Sequence, residues 1–335
     1  MYNPKRLIEP DEYFPRINEH MQAILEEWLN NHQSEEDIKL YHYTTARGIE
    51  GIISKREIWS TDIESMNDTK EIKYGVEVIE EEIKSAKERY EGDRLVSEVF
   101  LSSIEKELEN LARDRYSIFV TCFCREGDLL SQWRGYADRG GGYSIEFKFN
   151  DSTTMVDING NLKKPNLRRV LYDREEQKRI AGTLINAICE ICSTFPSLER
   201  DNPDKEDLWS SVASYVSKTL IDFAVSFKHE GFKEEKEWRL VRAIKREEVN
   251  ENVVNFRING GLVVPYVTTE LIETSNNGAN IFPVTGAVWG PSHDDNRARR
   301  SLELFVESVA NKDPIIDIKS FKSQSPEVPF EPPST

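Results

Sequence analysis

The sequence predicts an α+β protein whose sheet is mixed or antiparallel, and three features point there. Strand-like segments are separated by helical stretches of irregular length, without the regular alternation of a doubly wound parallel sheet. One segment, Tyr116–Cys124 (YSIFVTCFC), is β-rich and almost continuously apolar, as a central strand buried on both faces must be. Finally, no G-x-G-x-x-G follows a strand, and the chain has no Walker loop, no H-E-x-x-H and no G-x-S-x-G.

The elements follow in chain order. Ile17, Met21, Ile24, Leu25 and Trp28 recur at helical spacing within 11–36, so residues 1–37 are read as an N-terminal amphipathic helix. Ile38–Tyr43 is a short strand. Thr45 then caps a helix running to about Ser54, and Glu57–Ser60 is a second strand. A polar loop, TDIESMNDTKE, precedes a long charged helical stretch from Glu71 to about Arg115. It exceeds an average helix of about three turns, so it is expected to be two helices broken near Tyr90–Asp93, forming an insertion or a lid. After the central strand, Asp128 is expected to cap the short helix DLLSQWRGYAD. Gly140–Gly142 reads as a tight turn into a strand at Tyr143–Phe149. Further strands are expected at Leu167–Tyr172, Glu235–Ile244, Val253–Ile258, Leu262–Val267, Gly286–Trp289 and Ile315–Ile318. Helices are expected at Arg174–Phe195, about Lys205–Lys228 and Asn296–Val309. One α+β domain thus spans 38–322, and the Pro- and Ser-rich tail 323–335 is expected to lie on the surface or be disordered.

Sixty acidic against 44 basic side chains give a net charge of −16. That charge repels a polyphosphate backbone, which argues against duplex DNA and leaves single strands or proteins open. The basic clusters Lys163, Lys164, Arg168, Arg169 and Arg297, Arg299, Arg300 read as solvated charges. No apolar run approaches the roughly 20 residues that cross a bilayer, and the start lacks a secretory h-region, so the default location is the cytoplasm. Cys122-x-Cys124 and Cys189-x-x-Cys192 would supply four thiolates to zinc. The knuckle spacing occurs only once, however, and both pairs read better as core thiols.

Three constellations carry chemistry. In the strand FKEEKEWRLVRAI, alternation puts Glu235, Glu237 and Arg239 on one face. Two carboxylates beside a guanidinium suit stabilisation of positive charge in a dissociating sugar, with Arg239 pairing with Glu235 to hold the group. The plain alternative is a solvated edge strand with cross-strand ion pairs. His42 ends the first strand beside a loop, where an imidazole can bond a ribose hydroxyl, or simply bond backbone. Trp133 and Tyr136 share a helical face and can stack a planar cation, or pack under the next strand. Asn67-Asp68 reads as a turn or helix cap.

In order, L-Y-H-Y-T, I-W-S-T with M-N-D after it, F-V-T-C-F-C leading into L-S-Q-W-R-G-Y-A, G-G-Y-S-I-E-F, E-K-E-W-R-L-V and a late V-W-G-P resemble a bacterial family, domain of unknown function 2971, over about residues 38–320. That family is in turn similar to the ADP-ribosyltransferase fold, which implies a split mixed or antiparallel sheet with flanking helices and a long helical insertion. The resemblance implies NAD as substrate and no metal. It places His42, with Tyr43 and Thr44, on a ribose of NAD. Tyr136 or Trp133 would stack on nicotinamide, with Ser131 and Arg239 completing the binding set, and Glu237 beside Glu235 would be catalytic. The implied activity is ADP-ribosyl transfer to a protein or nucleic acid, as a toxin or anti-phage effector with a neutralising or regulatory protein partner. An NAD glycohydrolase, a non-enzymatic nucleotide-sensing or interaction module, and a nucleic-acid-processing enzyme are the rivals.

Overall fold

A computed structural model describes residues 37–66, 71–110, 116–193, 219–250, 252–274, 278–312 and 321–328, with isolated helical positions at 15, 19, 23, 213, 216 and 217. The expected N-terminal helix, apart from those three positions, and the strand expected at Ile315–Ile318 lie outside the described residues. The protein is α+β: among the described residues thirteen strands form one mixed sheet, and helices flank it.

The first strand, β1 (Asp37–Thr44), leads into helix α1 (Ala46–Lys55) and strand β2 (Glu57–Asp62). Thr45 caps α1 as expected, its hydroxyl accepting from the Gly48 N–H at 3.1 Å. The charged stretch forms α2 (Glu71–Arg89), a turn, a π-helical segment at Leu95–Phe100 and α3 (Leu101–Asn110). It is no lid. Val78, Ile79, Ile83, Ile104 and Leu108 are fully buried in the larger core, where their stripe meets α5 (Arg174–Ser193) and the described helical positions of 213–224.

The central strand β3 (Tyr116–Cys124) has the expected bounds. Its neighbour β8 (Glu237–Lys245) pairs with it along its whole length, from Tyr116↔Lys245 to Cys124↔Glu237. The opposite edge of β3 is shared. There β2 meets it at Thr61↔Val120 and Asp62↔Phe119, whereas β1 meets it only at Tyr41↔Cys124. From that edge β1 passes to β4 (Tyr143–Asn150), and β2 passes to the long β10 (Leu262–Thr274), which also pairs with β9 (Asn255–Asn259). The sheet is therefore split between Val120 and Cys124. Side chains supply the hydrogen bonds the ladder lacks there: the Ser60 and Thr121 hydroxyls lie 2.8 Å apart, and the His42 ring bonds the Cys122 carbonyl.

One face of the sheet carries the helical core through Val120 and Val241. On the other, Leu40, Ile58, Phe147 and Leu240 pack with α1 and the late helix Asp295–Lys312. The glycine run does turn the chain into β4, and Gly142 sits so close to β1 that a Cβ there would lie 2.2 Å from the Thr44 carbonyl oxygen.

Two local expectations are corrected. Asp128 does not cap the helix α4 (Leu130–Tyr136). Leu129 holds the cap position, while Asp128 accepts from Trp133 Nε1 at 2.7 Å and from the Glu327 and Val328 N–H groups. In the tail, Lys322–Gln324 pairs in parallel with Val284–Trp289 and stays partly or fully exposed. Glu235 is not on a strand. It ends a 3-10 helix, Glu230–Glu235, and Lys236 turns the chain at φ 45° before β8 starts at Glu237.

Candidate functional site

The split in the sheet opens into a two-lobed cleft. The first lobe, 360 Å³, is lined by Tyr41, His42, Gln132, Tyr136, Lys228 and Glu237 among others, with Glu235 at its wall. The second, 630 Å³, runs over β2 between α1 and the β9–β10 hairpin. His42, Tyr43, Met66, Cys122 and Tyr136 line both, so the lobes adjoin. Each volume falls in the range of about 300–1,000 Å³ common for small-molecule sites.

Glu237 is the centre of a buried charge cluster. As the first residue of β8 it faces the helical side of the sheet with Arg239, two positions on. Arg239 grips it twice, Nε to Oε1 at 2.8 Å and Nη2 to Oε2 at 3.0 Å, and spends Nη1 on the Val225 carbonyl at 2.6 Å. Lys228 Nζ reaches the same Oε2 at 2.9 Å and Glu235 Oε2 at 2.6 Å, bridging the two carboxylates. The Tyr172 hydroxyl accepts the Glu237 N–H at 2.9 Å and fixes the backbone. Burial alone would raise the carboxyl pKa. The charges of Arg239 and Lys228, with hydrogen bonds from Arg239 and Cys122, outweigh it and hold Glu237 well below the usual carboxylate range. Glu237 is thus a fixed anion, suited to facing developing positive charge.

His42 sits where the lobes join. Its Nδ1 lies 2.9 Å from the Cys122 carbonyl oxygen, which can only accept, so Nδ1 carries the proton and Nε2 is left as an acceptor. Burial lowers its pKa from 6.5. The Cys122 hydrogen bond opposes that shift, and the Arg257 charge adds to it. The imidazole is therefore neutral at pH 7. Nitrogen-15 NMR should show a neutral Nδ1–H tautomer at pH 7, and a His42 titrating at or above 6.5 would contradict this. The sign for stability follows from linkage: between its folded pKa and 6.5 only the unfolded chain binds this proton. His42 thus adds its full contribution above 6.5 and loses it as pH falls through that window.

Tyr136 is 45% exposed, and its hydroxyl points at Glu235 Oε1, 3.5 Å away. Burial of the ring and the Glu235 charge push its pKa up, so the phenol keeps its proton. One turn earlier, Gln132 lines the first lobe at 8% exposure, and no hydrogen bond to its amide is made among the described residues. A buried amide in that position invites a ligand's polar group.

Of the residues expected in the site, the cleft brings together His42, Tyr43, Thr44, Tyr136, Glu235 and Glu237, from three distant stretches of chain. Trp133 is not among them. It is fully buried, donates to Asp128 and meets the Tyr43 ring edge-on at 4.9 Å, so it anchors α4 from behind. Ser131 also lies off the cleft, with its hydroxyl buried and unbonded. Arg239 is 1% exposed and pairs with Glu237 rather than Glu235, which makes it a support for the carboxylate and not a ligand contact. Tyr43 is half committed: its hydroxyl donates to the Glu126 carbonyl and accepts from the Leu129 N–H.

Lys228 and Arg257 were not anticipated. Lys228 falls in the stretch read as the end of a helix. Lysine is so seldom buried that only its two carboxylate partners reveal its role.

With α4 and β8 both on the cleft, the segment joining them is the one that a family model matches. Residues 132–240 match the family model described as Protein of unknown function (DUF2971). No curated protein and no solved structure matches the chain. The matched segment starts at Gln132 and ends at Leu240, so it holds Tyr136, Lys228, Glu235 and Glu237, whereas His42 and Arg257 lie on either side of it. Among the described residues, no group of three or more His, Cys, Asp or Glu could hold a metal ion, and no helix is long and apolar enough to cross a membrane. Cys189 and Cys192 are buried in the helical core.

Proposed function

We propose that the protein binds NAD in this cleft and transfers its ADP-ribosyl group to a macromolecular acceptor. The observation that carries the reading is the meeting of His42, Tyr136 and the buried, ionised Glu237 around one cavity, with Glu235 beside them. Nicotinamide in NAD is a cation, and the half-exposed Tyr136 ring offers it a π face. Neutral His42 offers Nε2 to a ribose hydroxyl.

In the reaction the bond between ribose C1′ and the nicotinamide nitrogen breaks. Its electron pair goes to the pyridinium ring, which leaves neutral. The ribose takes on oxocarbenium character, and Glu237, held anionic by Arg239 and Lys228, stabilises it. An acceptor oxygen or nitrogen then bonds C1′ and passes its proton to solvent water. Glu235, at the cleft wall and hydrogen-bonded to Lys228, is placed to orient that acceptor.

The test is to incubate the full chain with NAD labelled in the adenylate portion, alone and with cell lysate. Nicotinamide release together with label on protein or nucleic acid is expected. Release without labelled acceptor would make water the acceptor and the protein a glycohydrolase. Neither release nor label would reject the reading.

A further inference from the structure

The second lobe has the opposite charge character to the first. Its charged lining is Arg47, Lys55 and Arg257 against one carboxylate, Glu57, whose Oε1 faces Trp59 Nε1 at 3.3 Å. In a chain of net charge −16 this is a local positive groove.

Arg257 is the part held in place. Its Nη2 donates to Thr61 Oγ1 at 2.9 Å, and its guanidinium carbon lies 5.7 Å from the centroid of the Trp59 ring. Trp59 in turn stacks on Tyr266 at 4.3 Å with 29° between the rings. The strand register explains the assembly. Arg257 lies opposite Val264 in the hairpin, and Tyr266, two residues further along β10, lies opposite Thr61 of β2. Arg257 Nε is buried without a hydrogen-bond partner, and no carboxylate among the described residues pairs with the guanidinium. Burial also lowers its pKa, the mark of a cation lacking compensation, and its charge is felt at His42. A cation fixed in a groove with a donor unfilled is costly unless something anionic completes it. Guanidinium geometry matches phosphate oxygens.

We propose that the second lobe is a diphosphate subsite for a nucleoside diphosphate, with Arg257 as its main contact. The identity of the nucleotide rests on the reading above, in which the lobe takes the ADP half of NAD while the acidic lobe takes the nicotinamide end. The subsite itself is tested with ADP.

Isothermal titration of the full chain with ADP should show saturable binding that weakens as salt rises. Inorganic pyrophosphate should compete and adenosine should not. Arg257→Gln should weaken ADP by about tenfold or more, the scale of one charge-assisted hydrogen bond, with Arg257→Lys in between. Thr61→Val, which removes only the hydroxyl that holds Nη2, guards against misfolding of the arginine variants and should also weaken ADP. No saturable ADP binding by the wild type, adenosine binding as tightly as ADP, or unchanged affinity in folded Arg257→Gln would each overturn the subsite. Nicotinamide release separates the two claims. Arg257-dependent ADP binding without release from NAD keeps the subsite and removes the chemistry, whereas release with Arg257-independent binding does the reverse.

Discussion

Glu237→Gln is expected to reduce nicotinamide release from NAD by about 10²–10³-fold, the usual effect of losing one preorganised electrostatic contact to a transition state. The amide keeps the shape and removes the charge proposed to face C1′. It also leaves Arg239 facing a neutral partner and takes one carboxylate from Lys228, so the variant must be shown to be folded by circular dichroism at the assay temperature. Glu237→Asp keeps the charge but draws it back by one methylene, and should fall between wild type and Gln. Substrate affinity should change less than turnover, because the contact matures as the bond breaks. A folded Glu237→Gln variant with undiminished release would remove this carboxylate from the mechanism.

Arg239→Met should destabilise the protein by about 3–5 kcal/mol, the range for breaking a buried ion pair from one side. The arginine is 1% exposed and makes two bonds to Glu237 and one to the Val225 carbonyl. The double variant Arg239→Met with Glu237→Gln should cost less than the sum of the single variants, since it leaves no buried carboxylate without its main partner. Urea titration of the four proteins measures this. Additive losses would mean the two side chains do not act as a unit. A raised KM for NAD with unchanged stability would instead place Arg239 on the substrate. Acid titration gives a further check. The folded pKa of Glu237 lies below its ordinary 4.5, so its contribution is complete above that value and is lost as pH falls toward the folded pKa. Acid unfolding in Glu237→Gln should therefore lack that component.

Much of the secondary structure was legible because it rests on local periodicity. The continuous apolar run of Tyr116–Cys124 could only be a doubly covered strand, and Thr45 and the Gly140–Gly142 run mark their own turn and cap. Boundaries failed where tertiary contacts outbid local preference. Asp128 looks like a helix cap, but it bonds Trp133 and the C-terminal backbone instead. Glu235 looked like a strand residue by alternation, yet the left-handed Lys236 breaks the strand one residue before Glu237. Trp133 and Tyr136 share a helical face in sequence, and nothing local says which of them the core will take.

What the sequence by itself determined is the set of elements and the residue types able to do chemistry: a histidine near the end of the first strand, an aromatic on a short helix, and carboxylates where a later strand begins. The tertiary structure alone decided that β1 and β2 share one edge of β3 and part between Val120 and Cys124, which is what creates the cleft. It also decided that Lys228 and Arg239 fix the charge of Glu237, and that Arg257, on another strand, lines the same lobe as His42. The reason is physical. Periodicity is a property of neighbours along the chain, whereas burial and the charge state of a side chain depend on groups up to hundreds of residues away that only folding brings within a few ångströms.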